Sequence, residues 1–283
     1  MTVTIAELHK EGNLPAAGGL SLYWQAWLPR AEPRGVVALA HGGLEHGGRY
    51  AYVAARFAEA GLATYAIDFR GHGRSAGRRG QIGRMSLLVD DLARSLSLCG
   101  RQHPNTPIFV VAHSLGAMVA LDYLTSRRSC DLAGLVLSGT GIDVSAIPRS
   151  QAIIAKALSA VAPNLGLVRL DSSLVSRDPA VAQGYDRDPL VFRGRAPVRT
   201  AAELVASAER VTPRLESVRL PLLVLHGEAD VVASPDGARM VCERACSADK
   251  TLTIYPGLYH EIFNEPEKDV VISDVVTWLV ARL

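Results

Sequence analysis

Short runs of Val, Ile, Leu and Ala recur along this 283-residue chain, and amphipathic segments follow them. "GVVALAHGG" (35–43), "LATYAIDF" (62–69), "PIFVVAHS" (107–114), "LAGLVLSG" (132–139), "PLLVLHGEAD" (221–230) and "KTLTIYPG" (250–257) are such runs. "LSLYWQAWLP" (20–29) reads as a further strand before them. Strands this continuously apolar have both faces covered, which is the condition of a parallel sheet. Helical spacing marks 49–61, 85–100, Leu115 to about Arg127, 236–246 and 266–283. Alternation of the two predicts an α/β fold, a mostly parallel central sheet with helices on both faces.

The rhythm breaks between about Thr140 and Ala206, too long a stretch for an ordinary loop. Its segment "SQAIIAKALSAVAPNLG" (150–166) places Ile154, Leu158, Val161 and Leu165 on one side of a helix. The expectation is a core of 1–140 and 207–283 carrying a helical lid at 141–206.

Composition narrows the function. A net charge of +2 lacks the basic excess of a nucleic-acid binder, so no nucleic-acid partner is expected. Cys99, Cys130, Cys242 and Cys246 have neither metal nor redox spacing and read as reduced structural residues. The first residues, with Glu7 and Glu11, have no apolar run of signal length. No stretch approaches the ~20 apolar residues of a membrane span. These features predict a cytoplasmic chain and leave peripheral membrane contact through the lid open. Nothing in the sequence specifies an oligomeric state.

"VVAHSLGA" (110–117) is the chemically telling stretch. It resembles the Gly-x-Ser-x-Gly turn that lifts a serine between strand and helix, with Ala112 in place of the first glycine and Gly116 as the second. The small residues are a packing demand, so Ala112 weakens the pattern without removing Ser114 as a nucleophile. A serine needs a base, and the base an acid that fixes its tautomer. Only His226 and His260 follow Ser114. His260 lies in a loop after the last strand, where open α/β sheets place their sites, and is the better base. Asp230 leaves the preceding strand end and is favoured as the acid, with Glu228 the competitor. Asp236 reads as the cap of the following helix. Backbone N–H groups must hold the oxyanion. Leu115, after the serine, supplies one, and Gly43 in "HGGLEHGGRY" is the candidate for the other. His41 reads as a brace of that loop, and "DFRGHGRS" (68–75) as a tight turn beneath the site rather than a metal or phosphate site.

Four stretches, "HGGLEHGGRY", "DFRGHGRS", "SRDPAVAQGYDRDPLV" (176–191) and "YPGLYHEIFNEPE" (255–267), resemble the monoacylglycerol lipases of the α/β-hydrolase superfamily across nearly the whole chain. The resemblance implies the α/β-hydrolase fold with a helical lid. It implies a triad of Ser114, Asp230 and His260, and an oxyanion hole of Gly43 and Leu115. It further implies that Glu45, Arg49, His113 and Tyr185 surround the glycerol part of the substrate. The expected activity is hydrolysis of a monoacylglycerol, or another small lipid ester, through an acyl-enzyme without metal or cofactor. A lysophospholipase, a broad carboxylesterase and an acyltransferase would use the same triad. The family usually has glycine at the positions of Ala112 and Leu44.

Overall fold

A computed structural model describes residues 9–126, 131–145 and 147–283. Its eight-stranded sheet comprises β1 (His9–Pro15), β2 (Ser21–Trp27), β3 (Gly35–Ala40), β4 (Leu62–Ile67), β5 (Ile108–His113), β6 (Gly134–Ser138), β9 (Leu222–Gly227) and β10 (Lys250–Tyr255). Their spatial order is β1-β2-β4-β3-β5-β6-β9-β10. β1 pairs antiparallel with β2, and β2 antiparallel with β4. The remaining pairs are parallel. Every residue of β3, β4, β6 and β9 is buried, as their unbroken apolar sequences require.

Helices cover both faces. Helices α2 (Met85–Gln102), α3 (Leu115–Ser126, as far as it is described) and α7 (Pro235–Arg244) pack Leu88, Leu92, Met118 and Val241 into one core. Helices α1 (Ala51–Glu59) and α8 (Lys268–Val280) pack Val53, Phe57, Val271 and Val275 into the other. Each such side chain contributes roughly 1.5–3 kcal/mol on burial. From β3 the chain runs through α1 to β4 on one side, and from β5 through α3 to β6 on the other. The loops after β3 and β5 therefore part company, opening a crevice at the carboxyl ends of two adjacent strands.

Between β6 and β9 lie α4 (Arg149–Val161), α5 (Pro179–Arg187) and α6 (Val198–Val211), with a small pair of strands, β7 (Gly166–Val168) and β8 (Ala196–Pro197). Helix α6 runs through 206, the expected lid boundary, without interruption, and its Ser207 hydroxyl bonds Asp122 of α3. The apolar side of α4 faces solvent: Ile153, Ile154 and Val161 are 68%, 56% and 81% exposed.

Three strands have no counterpart in the sequence reading. Strand β1 is an edge whose side chains are mostly exposed, so it carries no apolar alternation. Strands β7 and β8 are too short to show a period. Cys99, Cys242 and Cys246 are free thiols, while Cys130 lies outside the described residues.

Candidate active site

Strand β5 ends at His113 and α3 begins at Leu115, so Ser114 alone makes the turn. Its φ is +51°, a left-handed conformation that costs a non-glycine residue about 1–2 kcal/mol. The Ser114 N–H donates to the Ser138 carbonyl at 2.9 Å, which pins the turn to β6. The tight crossing falls on the second small residue. A methyl on Gly116 would lie 2.2 Å from the Ala40 carbonyl oxygen and 2.7 Å from that of His41. Ala112, by contrast, pairs in register with Ala40 and buries its methyl in the core. At the pattern's first position a methyl is accommodated, since Ala112 lies buried in the core beside Met118 and Val119 of α3.

Three side chains from three loops converge. His260 Nε2 lies 3.0 Å from Ser114 Oγ, and His260 Nδ1 lies 2.7 Å from Asp230 Oδ2. With Nδ1–H given to a carboxylate, Nε2 carries the lone pair and accepts the serine proton. Two glycines admit the base. Gly139 has φ +59°, and a methyl there would lie 3.0 Å from the His260 ring. A methyl on Gly227 would strike the Tyr259 carbonyl at 2.2 Å.

Asp230 is held by four donors. Oδ1 accepts the N–H groups of Val232 and Ala233 at 2.8 and 3.0 Å. Oδ2 accepts from His226 Nε2 at 2.9 Å besides His260. Burial alone would raise the Asp230 carboxyl, but the two histidine bonds outweigh it and hold the group well below the usual carboxylate range. His226 Nε2 also faces the Ala233 carbonyl at 3.0 Å, so with acceptors on both sides it carries the proton. Its Nδ1 is left buried without a partner. His226 thus touches the acid, a contact its place inside a strand did not advertise. Glu228 is exposed and accepts only from Gly257 N–H, at 3.3 Å. The cap of α7 is Ser234, whose hydroxyl accepts from Asp236 N–H; Asp236 sits in the first turn instead of at the cap expected from the sequence.

Gly43 faces Leu115, which opens α3 where the first N–H groups have no partner within the helix. Next to Gly43, Leu44 takes φ +68°, a left-handed conformation that favours glycine. His41 donates from Nδ1 to the Gly42 carbonyl at 2.7 Å and accepts Phe69 N–H at 2.9 Å. Burial pushes its ring down to about 4, so it stays neutral. In "DFRGHGRS", Arg70 forms a buried two-bond pair with Asp91, and Asp68 accepts the N–H groups of Gly47 and Arg74. These bonds hold the turn and its neighbouring loop.

The residues expected around glycerol are together, with Glu45 and Arg49 paired to each other. Glu45 Oε1 accepts Gly42 N–H at 2.6 Å and the Tyr50 hydroxyl at 2.7 Å, and Oε2 accepts from Arg49 at 2.6 Å. Arg49 also gives two 2.6 Å bonds to Glu261, a residue absent from the sequence reading. The Tyr185 ring, from α5, lies 4.8 Å from that guanidinium, and its buried hydroxyl has no partner. The His113 ring is 4.7 Å from that of His260; burial, and His260 beside it, push it down to about 3. The segment between α5 and α6 is joined to the same loop: Phe192 N–H donates to the Leu44 carbonyl at 2.8 Å, and His46 Nε2 meets Asp188 at 2.9 Å.

Comparison with known proteins adds the family. Residues 31–267 match the family described as serine aminopeptidase, S33. A monoacylglycerol lipase from Mycolicibacterium smegmatis is 38% identical over 99% of this chain and 100% of its own length. The chain belongs to the monoacylglycerol lipase family of α/β-hydrolases. The human monoglyceride lipase is 33% identical over 95% of this chain and 90% of its own. The crystal structure of a Paleococcus ferrophilus monoacylglycerol lipase superposes with a TM-score of 0.83 at 31% identity, covering 93% of this chain and 99% of that one. Membership makes the chain a carboxylic ester hydrolase.

Proposed function

We propose that the chain hydrolyses monoacylglycerols to glycerol and fatty acid, with Ser114, His260 and Asp230 as its triad. The continuous Ser114–His260–Asp230 relay carries this reading, and the full-length similarity to monoacylglycerol lipases gives the substrate class. Ser114 Oγ attacks the ester carbonyl while His260 Nε2 takes its proton. The carbonyl oxygen becomes an oxyanion, held by the N–H groups of Gly43 and Leu115. As the intermediate collapses, the carbonyl–oxygen bond to glycerol breaks and His260 returns the proton to the departing alkoxide. Water then repeats the sequence on the acyl-serine and frees the acid. Asp230 holds the imidazole in the needed tautomer. The unpaired hydroxyl of Tyr185 is a ready partner for a glycerol hydroxyl.

The substrate is delivered from a lipid surface, which the exposed Ile153, Ile154 and Val161 of the lid meet as a peripheral contact. No described helix is long and apolar enough to cross a membrane.

The deciding experiment is a panel of mono-, di- and triacylglycerols and lysophospholipids of one acyl chain. The expected order puts monoacylglycerol first by a wide margin. Faster hydrolysis of a lysophospholipid would replace this reading with that of a lysophospholipase.

A further inference from the structure

The buried cluster beside the base is a charge arrangement with a consequence for substrate choice. Glu261 follows His260 directly and takes the Arg49 guanidinium through two parallel bonds of 2.6 Å. Glu45 takes the same group at 2.6 Å from the oxyanion loop. The side chains of Arg49, Glu45 and Glu261 are only 10%, 3% and 6% exposed. Two carboxylates against one guanidinium leave the cluster with one net negative charge. Its members are fixed from outside as well, Glu45 by Tyr50 and Gly42 N–H and Glu261 by the Asn264 amide at 2.8 Å.

The cluster borders the leaving-group side. The departing oxygen must lie at His260 Nε2, which returns its proton, and Glu261 is the next residue. Glu45 holds Gly42, where a methyl would lie 2.7 Å from Glu45, 3.0 Å from His113 and 3.4 Å from Ser114 Cβ. A guanidinium in this place is suited to a phosphate, which it grips through the same paired N–H groups that grip a carboxylate. Here the end-on pair, Nη1 and Nη2, is already taken by Glu261, and the second Nη1 N–H by Glu45.

We propose that Glu261 is a specificity-determining residue: by occupying the Arg49 fork, it makes the leaving-group side accept uncharged polyol head groups and reject glycerophosphate ones. This rests on the ester-hydrolase reading, but it concerns the head group alone.

The test compares glycerol with glycerol 3-phosphate as inhibitors of p-nitrophenyl butyrate hydrolysis, so it does not depend on monoacylglycerol being turned over. The wild-type chain should be inhibited at lower concentration by glycerol; the reverse order overturns the proposal and needs no variant. In Glu261→Gln the freed guanidinium should shift the ratio of the two inhibition constants toward glycerol 3-phosphate by about tenfold or more, the scale of one charged hydrogen bond. In Arg49→Gln/Glu261→Gln that gain should vanish. A folded, active Glu261→Gln enzyme with an unchanged ratio overturns the proposal, as does a double variant that keeps the gain. The same variants assayed on 1-oleoylglycerol and its 3-phosphate should follow the inhibition ratios. Failure of the wild type on 1-oleoylglycerol alone would count against the monoacylglycerol reading and leave the inhibition result to decide this one.

Discussion

The two small residues of the serine turn are not equivalent, and their exchange tests the geometry. In Gly116→Ala the new methyl would lie 2.2 Å from the Ala40 carbonyl oxygen, 2.6 Å from its carbon and 2.7 Å from the His41 oxygen. Ordinary contact starts near 3.4 Å, and all three atoms are backbone, so α3 and the end of β3 must part by about 1 Å. Overpacking of this kind costs about 1–3 kcal/mol. The greater effect is on chemistry, because β3 leads into the loop with Gly43 and α3 begins with Leu115. A 1 Å displacement between catalytic groups costs on the order of a hundredfold in rate. Ala112→Gly should behave in the opposite way. It deletes one buried methyl, worth about 0.8 kcal/mol. It adds backbone freedom worth about 0.5–1 kcal/mol. The sum, about 1.5 kcal/mol, lowers Tm by roughly 3–6 °C. Activity should stay near wild type. The assay is kcat on p-nitrophenyl butyrate beside a thermal melt, with active sites titrated by a fluorophosphonate. If Gly116→Ala keeps at least half of the wild-type kcat, or Ala112→Gly loses most of it, the crossing has been assigned to the wrong residue.

Ser114→Ala should fold normally and lose several orders of magnitude in esterase activity, as measured on a short-chain ester; substantial turnover would point to another serine. Asp230→Asn should lower kcat by about 10⁴-fold through loss of the histidine tautomer, whereas Glu228→Gln should change it little; the reverse ranking would exchange their roles. Burial pushes His41 and His72 down to about 4 and His113 down to about 3. The unfolded chain therefore takes up these protons first, and the stability present above about pH 6.5 is lost as pH falls, by about 2 kcal/mol per histidine at pH 5. Asp68 and Asp91, both raised by burial, act in the opposite sense and offset part of this loss. Thermal melts should show a lower Tm at pH 5 than at pH 7, and an equal or higher one would contradict the burial of these rings. Ile153→Ser/Ile154→Ser should weaken hydrolysis of vesicle-borne substrate while sparing a soluble short-chain ester; equal losses would make the exposed side of α4 irrelevant to lipid contact.

Much of the site was legible because its roles are tied to the ends of strands. Ser114 stands between an apolar strand and a helix, and His260 and Asp230 leave the last two strands, so position at strand ends ranked the candidates. Glu261 was not legible, although it adjoins His260: its meaning comes from Arg49, 212 residues away, and no local pattern announces that pair. His226 was read only as the weaker base because a strand interior hides which side chain lies under it. Strand β1 escaped notice since, as a largely exposed edge, it turns only Gly12 and Leu14 partly inward and shows no run of alternating apolar residues. The expected lid boundary at 206 falls inside a helix for a related reason. Helix α6 begins against the segment after α4 and ends on α3, and its amphipathic sequence is continuous across the change of neighbour.

The bonds from Leu44 to Phe192 and from His46 to Asp188 tie segment 188–192 to the loop that carries Gly43. Residues 188–192 cannot swing outward without letting go of the segment that begins one residue after Gly43. If Gly43 holds the oxyanion, as proposed, any such swing would slacken the carbonyl clamp, and reseating the two bonds would tension it again.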